Sequence, residues 1–284
     1  MASEPDVESE AAPVRSHHNT NSTYLRGADI MTYTIMGYDP KTKQIGCASA
    51  TCTINCTRFH MPIQRGLLPA YSPTGGLLMP QASSSYIVPF KLLDLMEKGA
   101  SFSELHEEAK KDSNYLISQI GLVRSNGELW VYTGKDCKDV KRHIQGPDYI
   151  VMGNAIASDA VFEAMAAAFE ASRGKKLHER LMRSIEAGRD AGGQKDPKYG
   201  HLPELWALVW VFDGTEKPLV DLRVDYDVEG VEKLRQLVDD ITPLQEFYDI
   251  MVYDTEKFSG LWNSEDKNLE MKLYWRDLAA KKGK

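Results

Sequence analysis

Hydrophobic and polar positions change period several times along the chain. From Thr32 the run TYTIMGYD alternates, DPKTK interrupts it with Pro and Asp, and QIGCASATC resumes as a strand of small residues, which predicts a hairpin. A loop rich in Pro and Gly (MPIQRGLLPAYSPTGG) leads to LLMPQAS, a predicted third strand. VPFKLLDLMEKG then places apolar residues at helical spacing up to a Gly stop, and SFSELHEEAKKD opens with Ser101 and Ser103 as candidate caps.

The segments YLISQIGLVRS and ELWVYTG flank Asn126-Gly127 and predict a second hairpin. After a basic loop, DYIVMGN predicts a strand ending in Gly153-Asn154. Two helices follow, SDAVFEAMAAAFEAS with Ser158 as N-cap and KKLHERLMRSIEAGRDAGG with a Gly-Gly end. The strands WALVWVFDG and PLVDLRVDY and the amphipathic helix VEGVEKLRQLVDDI complete the pattern. Helix pairs between groups of hairpin-linked strands depart from the alternation of a doubly wound parallel sheet. They predict an α+β fold of stacked antiparallel sheets with helices outside.

Three regions follow from this pattern. Residues 1–30 are polar and acidic without apolar periodicity and read as a disordered extension. Residues 31–242 contain no linker or internal repeat and read as one domain. Residues 243–284 form a tail rich in aromatics (Phe247, Tyr248, Tyr253, Phe258, Trp262, Tyr274, Trp275), expected to pack on the domain or on a partner subunit, most simply in a homodimer.

Composition narrows the function classes. The 284 residues are 42% hydrophobic and 26% charged, with a formal charge of −7 and no clustered basic stripe, which argues against nucleic acid as partner. No stretch approaches a membrane span, and no secretory or transit signal is recognisable, so a cytoplasmic protein is expected. Four cysteines are too sparse for a disulfide scaffold. Cys47, Cys52 and Cys56 match no common zinc spacing, and buried small side chains explain them better than metal, so neither metal nor cofactor is expected.

The P-loop, G-x-G-x-x-G, H-E-x-x-H and G-x-S-x-G motifs are absent. What remains is Met31-Thr32, where a hydroxyl residue leads directly into the first strand. With the bond before it cleaved, Thr32 would carry both a nucleophile and a free amine to serve as its base. A plain strand-starting threonine is the competing reading.

The run MTYTIMGYDPKTKQIGCASAT resembles the opening of the domain of unknown function 1028 family. TGKDC with His143, GPDYIVMGN, EAMAAAFEA, LMRSIEAGRDAGG and VDLRVDYD are similar to further family blocks in the same order, over about residues 31–238. That family is grouped with the N-terminal-nucleophile hydrolases, which implies a four-layer αββα sandwich and hydrolysis of an amide bond in a small, non-peptide molecule, cyclic amides included. By position, the resemblance implies Thr32 as nucleophile, Thr51 as a partner of its amine and Asn154 as an oxyanion donor. Gln81, Gly153, Gly192, Gly193 and His143 are the implied substrate-binding positions. Where the family continues with polar residues, this chain has Leu205 and Trp206, so a catalytically inactive ligand-binding or regulatory protein is the alternative. A metal enzyme using the cysteines with His60 is a third reading.

Overall fold

The computed structural model describes residues 31–52, 69–85 and 87–244, with scattered positions from 249 to 280. The expectations for residues 1–30, for Cys56 and His60, and for most of the aromatic tail lie outside the described residues.

In chain order, β1 (Thr32–Tyr38), β2 (Ile45–Thr51), β3 (Ala70–Ser72) and β4 (Gly76–Ala82) precede α1 (Val88–Glu97) and α2 (Phe102–Ala109). Next come β5 (Ser118–Arg124), β6 (Leu129–Thr133), β7 (Arg142–Gln145) and β8 (Tyr149–Asn154), then α3 (Asp159–Ala171) and α4 (Leu177–Asp190). The strands β9 (Lys195–Asp196), β10 (Gly200–His201), β11 (Trp206–Phe212) and β12 (Val220–Val224) lead to α5 (Gly230–Ile241). The fold is α+β with antiparallel sheets, as the pattern predicts.

One sheet has six strands in the order β12-β11-β2-β1-β8-β7, and another has four in the order β3-β4-β5-β6. Strand periodicity sorts the side chains into three cores. Tyr33, Ile35, Ala48, Ala50 and Val151 project from the six-stranded sheet against Phe162, Phe169, Leu181 and Ile185 of α3 and α4 and Leu234 of α5. The alternate residues Met36, Cys47, Ile150, Met152 and Leu208 meet Leu77, Met79 and Val123 of the four-stranded sheet. The opposite face of that sheet packs Leu78, Ile120 and Leu122 against Leu92 and Met96 of α1 and Leu105 of α2.

Two glycines, Gly46 of β2 and Gly188 of α4, are explained by this packing. A Cβ at Gly46 would stand 2.6 Å from the Trp210 carbonyl and 2.8 Å from Leu181, and one at Gly188 would stand 2.8 Å from Met165. Larger side chains would push α4 off the sheet.

Ser101 forms a complete capping box with Glu104 at the start of α2. Ser158 occupies the N-cap position of α3 with extended backbone, but its side chain makes no capping bond. The sequence pattern misses β3, β7 and the β9–β10 pair, all of which are short. The stretch read as a basic loop contains β7, an edge strand that alternates half-buried and exposed positions and pairs Arg142 with Gly153.

Candidate active site

The inter-sheet space is apolar at one end and polar at the other, and the polar end is where β1 begins. Strand register builds it. In the six-stranded sheet Thr32 lies opposite Thr51 on one side and Asn154 on the other, and Trp206 lies opposite Thr51. In the four-stranded sheet Gln119 lies opposite Gln81 and Thr133. Directly opposed residues share a face, so each sheet contributes one polar row. Thr32, Thr51, Gln81, Gln119 and Asn154 are each at most 3% exposed.

The rows meet through hydrogen bonds. Gln81 Nε2 donates to Gln119 Oε1 at 2.7 Å and to the Thr32 carbonyl at 3.4 Å. Asn154 Nδ2 donates to the same Gln119 Oε1 at 3.0 Å. Gln119 Nε2 donates to the Gly153 carbonyl at 2.9 Å and to Thr133 Oγ1 at 3.0 Å. A further hydroxyl pair, Thr34 with Ser49 at 2.8 Å, continues the β1–β2 ladder behind Thr32.

Around Thr32 itself the bonds form a relay. Thr32 Oγ1 donates to Thr51 Oγ1 at 3.3 Å, and Thr51 Oγ1 donates to the carbonyl of Met31. A hydroxyl is thus positioned between a candidate nucleophile and the peptide carbonyl immediately before it. Immediately after β2, the Cys52 N–H donates to Gln194 Oε1 at 2.7 Å. Burial raises the Cys52 thiol to about 11, so it stays protonated at neutral pH and does not compete as a thiolate.

Of the other implied positions, Gly153 joins the network through its carbonyl, and the rest lie outside it. His143 lies exposed on the edge strand β7 and contacts the site only indirectly, through Nδ1 to Thr133 Oγ1 at 2.9 Å. Desolvation against its neighbours, and then the Arg142 charge, lower its pKa below the usual 6.5. Gly153 offers its carbonyl to Gln119, while a Cβ there would come within 2.9 Å of Phe162 and Ile156, so the missing side chain serves packing.

Gly192 and Gly193 terminate α4 with φ of +118° and +52°. Their N–H groups donate to the carbonyls of Arg189 and Gly188, so they are taken up by the helix end rather than presented to a ligand. Gln119 and Thr133, to which the sequence reading assigns no role in the site, are central to the network. A glutamine inside the apolar run SQIGLVR is the signal that marks Gln119.

Among the described residues, no group of three or more His, Cys, Asp or Glu is close enough to hold a metal ion. Among them, too, no helix is long and apolar enough to cross a membrane.

Comparison with known proteins adds the family. No curated protein matches the chain. The crystal structure of a Silicibacter pomeroyi protein assigned to DUF1028 aligns with a TM-score of 0.63 and 23% identity, over 75% of this chain and 89% of that one. At that identity the likeness is one of fold. Residues 32–234 match the family of unknown function DUF1028, a stretch that opens at Thr32. The chain therefore belongs to the DUF1028 family.

Proposed function

We propose that the protein is an N-terminal-nucleophile amidohydrolase acting on a small amide, with Thr32 as nucleophile once the bond to Met31 is broken. In this reading the two sheets and their outer helices are the layers of an αββα sandwich. The observation that carries it is the relay at the head of β1, from Thr32 Oγ1 through Thr51 Oγ1 to the Met31 carbonyl.

The relay accounts for both steps. In the first, Thr32 Oγ adds to the Met31 carbonyl carbon while its proton passes to Thr51, which hands its own to the carbonyl oxygen. The C–N bond then breaks, the nitrogen takes a proton, and water hydrolyses the resulting ester to leave Thr32 with a free amine. In the second, that amine takes the Thr32 hydroxyl proton as the oxygen attacks a substrate amide and gives it to the leaving nitrogen as the C–N bond breaks, after which water hydrolyses the ester to release the acid and restore Thr32. Asn154 Nδ2 has one hydrogen on Gln119 and retains its other for the developing oxyanion, a type of contact worth roughly 3 kcal/mol.

The family match opening at Thr32 supports the same position, and the acidic charge with few cysteines suits a cytoplasmic enzyme without a nucleic-acid partner. A second reading, a binding protein without turnover, is favoured by one observation. Met31 is itself buried, as in a chain that stays intact. A panel of small amides incubated with full-length protein and with a chain beginning at Thr32 separates the two. Hydrolysis by the shorter form supports the enzyme, and binding without turnover by either form supports the alternative.

A further inference from the structure

The polar layer leaves specific hydrogen-bonding positions unused. Gln119 Nε2 faces two backbone carbonyls, those of Gly153 at 2.9 Å and Arg142 at 3.4 Å. Carbonyls only accept, so the orientation of this amide is fixed by the backbone around it. Its Oε1 therefore faces Gln81 and Asn154, and both must turn their nitrogens toward it. What is left over is the oxygen of each: Gln81 Oε1 and Asn154 Oδ1 are buried with no hydrogen-bond partner. Gln81 spends its second N–H on the Thr32 carbonyl, whereas Asn154 Nδ2 makes one bond and keeps one hydrogen.

Buried acceptors are rarely left unpaired, and two of them held by one glutamine beside Thr32 point to a group that donates. We propose that Asn154 recognises a substrate amide whose N–H and C=O lie on the same side, that is, a primary carboxamide, a urea or a lactam. The proposal rests on the reading of Thr32 as nucleophile for its chemistry, and on Asn154, Gln81 and Gln119 for its specificity. One planar side chain then makes two bonds: its remaining Nδ2 hydrogen to the substrate oxygen, and its Oδ1 from the substrate N–H. Gln81 Oε1 receives a second N–H where the substrate has one. A trans secondary amide, the form found in peptides, places N–H and C=O on opposite sides and cannot make both bonds to one side chain. The site thereby selects against ordinary peptide bonds.

The test titrates the purified protein with γ-butyrolactam and with N-methyl-γ-butyrolactam, which keeps the ring and carbonyl but lacks the donor, using ligand-observed NMR. The lactam is expected to bind about tenfold more tightly, the scale of one unpaired buried acceptor. In Asn154→Leu the preference disappears; if that variant does not fold, acetamide against N,N-dimethylacetamide on the unaltered protein gives the same decision. Equal affinity for the two members of a pair, or no binding of either, overturns the proposal. The N-terminal mass is read separately. Selective binding by an unprocessed chain retains this inference and removes the nucleophile, and a processed chain without selectivity does the reverse.

Discussion

The hydroxyl of Thr51 in β2 donates to the carbonyl of Met31, the residue before Thr32, while accepting from the hydroxyl of Thr32. This bond can polarise only one peptide, the one whose cleavage would free the Thr32 amine. Replacing Thr51 with Val keeps the shape and removes the relay. It is expected to slow cleavage before Thr32 roughly a hundredfold, the lower range for a positioned proton-transfer group. Thr51→Ser restores most of the rate. A time course of intact mass on freshly made protein checks both variants.

Gln119 holds the two sheets together through polar contacts with Gln81, Asn154, Thr133 and Gly153. Gln119→Leu strips partners from several buried groups at once. A loss of about 3 kcal/mol is expected, since each unsatisfied buried polar group costs roughly 1–3 kcal/mol. Gln119→Glu keeps an acceptor for Gln81 and Asn154 but sets a second oxygen against the Gly153 carbonyl, and should also destabilise. Urea midpoints at unchanged slope measure each loss; a midpoint equal to that of the unaltered protein contradicts the hub.

Asp148 and Arg180 form a buried ion pair at 3.5 Å, with Arg173 at 3.2 Å from the same carboxylate and the Arg180 guanidinium 3.8 Å from the Phe169 ring centre. Removing one partner leaves the other charge uncompensated. Asp148→Asn is therefore expected to cost about 3 kcal/mol, while the more exposed Arg173→Ala costs well under half as much. Thermal unfolding ranks the two variants, and an equal loss argues against a buried pair.

His178 in α4 is buried, and burial, followed by the Lys176 charge, lowers its pKa below 6.5. The folded protein thus binds its proton less readily than the unfolded chain. Stability from this group is complete above about pH 6.5 and declines as pH falls through that value toward the lowered folded pKa. His143 contributes in the same direction. A set of urea titrations across this range should show His178→Gln with a shallower pH dependence than the unaltered protein. An identical slope removes His178 as the source.

Part of this architecture is legible in the sequence, and the physical reasons differ by residue. The alternation in TYTIMGYD sets Thr32 and Thr34 apart from Tyr33 and Ile35, but both faces of β1 are buried, so the pattern cannot tell which face meets the other sheet. Register, which puts Asn154 opposite Thr32, is a long-range property of pairing β1 with β8. Gly192-Gly193 is readable as a helix end, and the structure keeps it as one. The strands β7, β9 and β10 escape the pattern because two to four residues at an edge, with the charged Arg142, Lys195 and Asp196 among them, carry too little periodicity.

The role of Thr32 as nucleophile is tested most directly by the intact mass of the purified protein beside that of its Thr32→Ala variant. That role predicts a species beginning at Thr32 in the unaltered protein and an uncleaved chain in the variant. A chain that stays joined through Met31-Thr32 while hydrolysing small amides as well as its Thr32→Ala variant does would contradict it.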